Sequence, residues 1–194
     1  VGGRLCLEHL PRHVAGECKG SNAINIINYF SKSSDIKVSN VYCNNKNSPF
    51  LKYSLDSGIK VSNFSNDELS TKVFDELKLI NPNLIVLAGF LKKIPPSFIN
   101  YFNKKIVNIH PSLLPKYGGR GMYGSIIHNK VIENNEIETG ISIHYVSENY
   151  NSIEKIFQKK IQLNRDDTAK TVEKKIHILE YEFYPQVIQS LLNE

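Results

Sequence analysis

The chain has 194 residues, 41% of them hydrophobic, enough for one globular domain with a full core. No stretch approaches the roughly 20 apolar residues that span a bilayer, and residues 1–7 lack the long apolar region of a signal peptide. The net charge of +5 comes from dispersed lysines with no run of like charges, which argues against a nucleic-acid groove and favours anionic small molecules.

In chain order, residues 1–17 offer no strand pattern. Ser21-Asn22 is predicted to cap a helix, because Ala23, Ile26, Ile27 and Phe30 follow at helical spacing. Residues 36–43 alternate as a strand ending at Cys43, which reads as core. The three cysteines, Cys6, Cys18 and Cys43, are odd in number and not spaced like metal ligands, so no metal site is expected and a reducing, cytoplasmic compartment fits. Ser65-x-x-Glu68 is a capping-box pattern, and Leu69, Val73, Leu77 and Ile80 then form one helical stripe. Residues 84–88 are a continuous apolar run ending at Gly89, as in a parallel strand buried on both faces. Residues 105–109 form another. Residues 141–146 and 155–163 alternate and are expected to pair antiparallel at the sheet edge. A last helix is predicted from near Asp166-Asp167, with Ala169, Val172, Ile176 and Leu179 inward, bending or restarting at Pro185. The apolar period switches between two and 3.6 along the chain, which predicts an α/β fold. The reading is a mostly parallel open sheet with antiparallel C-terminal strands and helices on both faces. It forms a single domain over residues 1–194, with residues 1–17 an atypical N-terminal segment.

The most informative run is Asn108-Ile109-His110-Pro111-Ser112-Leu113-Leu114-Pro115. It follows an apolar strand, and residues two apart in extended chain share a face, so an amide and an imidazole project together from the strand's carboxyl end. The two prolines are expected to hold the next loop extended and to stop a helix from starting there. Such a pair is placed to polarise a carbonyl and move a proton. A packing histidine is the commoner meaning of an isolated Asn-x-His; the eight-residue run is far more specific. In an open parallel sheet the ligand lies beyond the carboxyl ends of the strands. Three elements end there: the loop Lys19-Gly20-Ser21-Asn22, residues 89–94, and Asn108/His110. His128, His144 and His177 are scattered and read as packing residues.

From about Gly20 onward the chain resembles phosphoribosylglycinamide formyltransferase, the folate-dependent enzyme of purine synthesis. The motifs that carry the resemblance are Gly20-Ser21-Asn22, Val86-Leu87-Ala88-Gly89-Phe90, residues 108–117, residues 140–146 and Tyr184-Pro185. The resemblance implies a Rossmann-like formyltransferase fold. It implies attack of the amine of glycinamide ribonucleotide on the formyl carbon of formyl tetrahydrofolate, with no metal, in a monomer or homodimer. Carried over, Gly20, Ser21 and Asn22 hold the nucleotide phosphate, which suits backbone amides at a helix start. Glu180 contacts the sugar and amine. Leu91, Lys92, Lys93 and Ile94, with Val146 and Asn66, bind the folate. The glycine-rich residues 118–124 cover the site. A cationic His110 and Asn108 hydrogen-bond the developing oxyanion, and an aspartate beside the histidine keeps it charged.

Three departures stand out, one of them Asn66, where the family often has an arginine for the folate acid. The aspartate's position holds Asn151, and an amide neither carries charge nor accepts a proton at neutral pH. Impaired transfer is therefore expected unless Glu148 or Glu154 reaches the site. In the phosphate loop Cys18 replaces a glycine, with Glu17 beside it. Related formyltransferases fit less well: the methionyl-tRNA enzyme calls for a further C-terminal domain, and formyltetrahydrofolate deformylase for an extra domain in front. The competing reading is a folate- or nucleotide-binding homologue that has lost catalysis.

Overall fold

Among the described residues of the computed structural model, one seven-stranded sheet organises the chain. Its strands are β1 (Gly3–His9), β2 (Ile36–Cys43), β3 (Lys60–Asn63), β4 (Leu84–Leu87), β5 (Ile106–His110), β6 (Glu138–Tyr145) and β7 (Lys155–Gln162), in the spatial order β3-β2-β1-β4-β5-β6-β7. The first five in sequence run parallel, while β6 is antiparallel to β5 and β7 to β6. The described residues are 3–9, 21–45, 48, 53, 55–90, 92–148 and 153–193, and of residues 3–9 and Asn66 the backbone alone is described. Gly20, Leu91 and Asn151, and also Cys18, lie outside them.

The strand β1 corrects the expectation of no strand before residue 17. It occupies the middle of the sheet, pairing with β2 on one side and β4 on the other. Arg4, Glu8 and His9 interrupt the apolar run that normally marks a central parallel strand, which is why the sequence hid it.

Strand periodicity sends alternate residues to two cores. Leu84 and Val86 of β4 and Val107 and Ile109 of β5 pack with helix α1 (Ser21–Phe30) and the C-terminal helix, here Ala169–Asn193. Ile85, Leu87 and Ile106 pack on the opposite face. There they meet Leu77 of α2 (Phe74–Ile80) and Phe98 of α3 (Pro96–Tyr101). The predicted capping box forms, with the Ser65 N–H donating to Glu68 Oε2 at 2.6 Å. It opens a short 3₁₀ turn and a π turn before α2. Residues Ser21 and Asn22 are the first two residues of α1 rather than its cap. A fourth helix, α4 (Ser125–Glu133), precedes β6, and the C-terminal helix is α5. None of the described helices is long and apolar enough to cross a membrane.

Helix α5 runs through Pro185 instead of restarting there. Proline removes one N–H and frees the carbonyl four residues earlier. That carbonyl, of Tyr181, accepts a hydrogen bond from Asn25 Nδ2 of α1 at 2.8 Å, so α1 satisfies what the proline leaves open.

The helix starts at Ala169, later than predicted, because Asp167 and Thr168 build its cap. Asp167 accepts from Lys175 Nζ at 2.6 Å, from the Asn164 N–H at 2.8 Å and from Thr171 Oγ1 at 2.8 Å. The Lys175 ammonium, then the Asn164 N–H, hold its carboxyl down at about 2. A depressed acid gives its full stabilisation above its unfolded value near ~4 and loses it as pH falls toward the folded value. Asp167→Asn is therefore expected to lower stability at neutral pH by about 1–2 kcal/mol, discounted from the full linkage value for the exposed part of Lys175. In urea titrations the gap from the unsubstituted chain should close as pH drops from about 4 to about 2.

Candidate active site

Strand order reverses direction between β1 and β4, and a site is expected at the carboxyl ends there. A cavity of about 630 Å³ opens next to it, at the carboxyl ends of β4 and β5. Period two places Ile106, Asn108 and His110 on one face of β5. Ile106 is sealed in the second core, and the next two positions run past the end of that core into the cavity wall. Hence a strand that begins as core delivers an amide and an imidazole to solvent-accessible space, as the sequence predicts.

The amide is oriented by a residue that the sequence reading took for packing. Antiparallel pairing sets His144 of β6 directly opposite Asn108. His144 Nδ1 lies 2.8 Å from the Tyr145 carbonyl, which fixes the proton on that nitrogen. Burial lowers the ring's pKa, only partly offset by that hydrogen bond, so the ring is neutral at pH 7 and Nε2 is an acceptor. Asn108 Nδ2 lies 3.4 Å from it, a long hydrogen bond that turns the amide N–H₂ toward β6 and leaves its second proton for the cavity. Strand register, invisible in the residue spacing, makes this contact.

His110 Nε2 lies 2.8 Å from the carbonyl of Tyr117 and donates to it. The loop between them is not extended as predicted. It folds into two turns, closed by Lys116 N–H to the Leu113 carbonyl at 3.1 Å and Gly118 N–H to the Pro115 carbonyl at 3.2 Å. No helix starts between Pro111 and Ser125. Beneath the loop lies the buried hydroxyl of Ser142. It donates to the Ser112 carbonyl at 2.6 Å and accepts from the Leu114 N–H at 2.9 Å and Gln158 Nε2 at 2.7 Å. Every valence of that oxygen is used. Ser142→Ala leaves the Leu114 N–H without its acceptor and should cost about 1–3 kcal/mol in a denaturant titration. Gly140, also on β6, has no room for a side chain: a Cβ there would lie 2.0 Å from the Lys159 carbonyl oxygen and 2.7 Å from Leu113 Cδ2.

Lys92, Lys93, Ile94 and Val146 line the same cavity, as does Arg120, within the glycine-rich residues 118–123. No aspartate or glutamate is among the described lining residues, so the wall is cationic and suits an anionic ligand. Glu154 is instead paired with Lys104 at 2.8 Å, and Glu148 is exposed; neither lines the cavity. Asn66 starts the 3₁₀ turn before α2, and its side chain lies outside the described residues.

Ser21, Asn22 and Glu180 do not line this cavity, but two of them meet. Asn22 Nδ2 donates to Glu180 Oε2 at 3.0 Å, joining α1 to α5. Glu180 is buried, and His177 Nε2 lies 4.0 Å from the same oxygen. The Asn22 Oδ1 atom is buried and has no hydrogen-bond partner among the described residues. One turn further, the buried Tyr184 hydroxyl donates to the carbonyls of Leu87 at 3.0 Å and Val107 at 3.3 Å. Burial, and then the charge of Glu180, hold that phenol well above its usual pKa, so it stays a donor. Helix α5 is thereby fastened to β4 and β5 where they enter the site.

Known proteins resemble this chain in sequence and in fold. The family described as formyl transferase matches residues 14–188. The chloroplastic phosphoribosylglycinamide formyltransferase of Arabidopsis thaliana is 32% identical over 158 residues, 78% of this chain and 54% of that protein. The phosphoribosylglycinamide formyltransferase of Haemophilus influenzae is 38% identical over 128 residues, 66% of this chain and 58% of that protein. The chain thus spans little more than half the length of the curated relatives it matches. Among solved structures, glycinamide ribonucleotide transformylase 1 from Geobacillus kaustophilus superposes with a TM-score of 0.86 at 26% identity, over 99% of this chain and 100% of that one. The phosphoribosylglycinamide formyltransferase from Coxiella burnetii gives 0.80 at 28% identity, over 100% and 88% of the two chains.

Proposed function

This chain belongs to the formyl transferase family, and from that membership we propose that it transfers a formyl group from formyl tetrahydrofolate to the amine of glycinamide ribonucleotide, a step of de novo purine synthesis. The observation that carries the reading is the convergence of Asn108 and His110 with Lys92, Lys93, Ile94 and Val146 on one cavity. In this reading the folate lies along residues 91–94 and Val146, with Asn66 nearby and its acid end on the cationic wall. The nucleotide phosphate rests on Gly20 and Ser21 at the start of α1. Glu180, held by Asn22, receives the sugar and amine, and the buried Asn22 Oδ1 accepts an N–H from that end of the substrate.

The amine nitrogen adds to the formyl carbon, and the carbonyl electron pair moves onto oxygen. Asn108, through its second Nδ2 proton, and the cationic His110, through the ring nitrogen not bonded to Tyr117, donate hydrogen bonds to that oxyanion, which has full charge only along the reaction path and so is stabilised more than the ground state. The bond to the folate nitrogen then breaks, and the proton lost by the amine ends on that nitrogen. Asn151 stands where a carboxylate would hold His110 charged, so transfer is slow by the standard of this chemistry. Both substrates are small molecules, neither nucleic acid nor membrane takes part, and the chain works in the cytoplasm as a monomer or homodimer.

The test is to incubate the protein with both substrates and follow the formylated nucleotide by mass spectrometry, with binding of each substrate measured by calorimetry. Formylated product at a rate above the protein-free control supports the proposal. Tight binding of both substrates with no product favours the competing reading, a binding homologue without catalysis.

A further inference from the structure

His110 Nε2 donates to the Tyr117 carbonyl, so what fixes Tyr117 helps to fix the imidazole. Tyr117 sits at φ +55°, in the left-handed region that a large side chain rarely occupies. Something must hold it there. Its hydroxyl donates to Glu136 Oε1 at 2.8 Å and accepts from Asn134 Nδ2 at 2.8 Å. Both partners lie in the short connection between α4 and β6. Lys116 Nζ reaches the two oxygens of the same carboxylate at 3.0 and 2.9 Å, and the Lys116 carbonyl accepts from Ser112 Oγ at 2.7 Å. The turn is therefore gripped at both ends, by a phenol–carboxylate pair outside and a serine inside.

We propose that Tyr117 and Glu136 are positioning residues: the carboxylate clamps the phenol, and the clamped turn presents the carbonyl that aims the His110 ring into the cavity. The inference rests on the formyl-transfer reading for its kinetic consequence and on geometry alone for its structural one. Burial raises the phenol's pKa, and the Lys116 ammonium, followed by the Tyr117 hydroxyl, lowers that of Glu136. The donor thus stays protonated and the acceptor ionised at neutral pH. Such a charge-assisted bond is short and directional. The Lys116–Glu136 pair alone is an ordinary surface ion pair, with the lysine side chain 67% exposed, so the phenol contact is what fixes the backbone.

The experiment uses the full chain and two readouts. The first is the His110 ring cross-peak in the ¹H–¹³C NMR spectrum of the ligand-free protein. The second is kcat and KM for formyl transfer. Tyr117→Phe and Glu136→Ala should both move the cross-peak and lower kcat by roughly ten- to a hundredfold, as a displaced catalytic group does, with KM changed less than about twofold. Glu136→Gln retains an acceptor and should restore most of both readouts. Lys72→Met breaks an exposed pair to Glu68, at 3.6 Å, that shares no partner with Tyr117, Glu136 or Lys116, and should leave both readouts alone. A thermal melt shows which variants are folded; if Tyr117→Phe is not, the two Glu136 variants decide. A lowered melting temperature with the cross-peak and kcat unmoved overturns the inference, leaving the clamp merely structural. If the unsubstituted chain forms no product, the functional reading fails and the cross-peak alone decides the clamp.

Discussion

Replacing His110 with alanine is expected to lower formyl transfer by about 10²–10³-fold, and Asn108→Ala by a comparable factor, with substrate binding little changed. The expectation follows from where the two side chains stand. They are consecutive same-face positions of β5 at the point where the strand leaves the core. Each is pre-oriented by a neighbour, Asn108 by His144 and His110 by the Tyr117 carbonyl. Donors fixed in advance need no reorganisation as charge develops, which is the source of the large factor. Loss of binding with kcat preserved would instead assign the pair to ground-state recognition. The check is kcat from initial rates at saturating substrates, with calorimetric affinities for each variant.

The second large effect runs the other way. Asn151→Asp should raise turnover by about 10²–10³-fold, the scale of restoring one fully effective oxyanion donor. The cavity wall contains Lys92, Lys93 and Arg120, and no carboxylate among its described residues. The chain passes from Ser147 in the wall to Ile153, also in the wall, and Asn151 lies between them in sequence. Neither carboxylate nearby in sequence makes up the loss: Glu154 is taken by Lys104, and Glu148 is exposed. An added carboxylate should also move the acid limb of the kcat profile, since an anion beside an imidazole raises its pKa and keeps it charged to higher pH. Initial rates of the two proteins across pH check this; equal rates and equal profiles would remove position 151 from the mechanism.

The placement of Asn108 and His110 on the cavity wall was legible because it is local. Asn108 and His110 are read from a strand period and two prolines, and β4 from five apolar residues ending in glycine. What escaped the sequence depends on partners far away in the chain. His144 looks like an ordinary strand residue until antiparallel register sets it against Asn108. The loop after His110 reads as extended because proline disfavours helix, but Ser142 and Gln158 draw it into turns. Pro185 reads as a break because the rule concerns one helix alone; Asn25 of another helix makes it tolerable. Strand β1 was missed because Arg4, Glu8 and His9 spoil the apolar run while the backbone still pairs on both sides. The pairing of Asn22 with Glu180 also escaped the sequence, since nothing local links residues 158 apart.

A double-mutant cycle between positions 110 and 151 tests most directly that an imidazolium at His110 stabilises the oxyanion. kcat would be measured for the unsubstituted chain, His110→Ala, Asn151→Asp and the double variant. If the carboxylate acts through the ring, the gain from Asn151→Asp of about 10²–10³-fold shrinks to a few-fold once His110 is alanine. The same gain in both backgrounds would mean that the two positions act independently, and the assignment of His110 as the charged donor would be wrong.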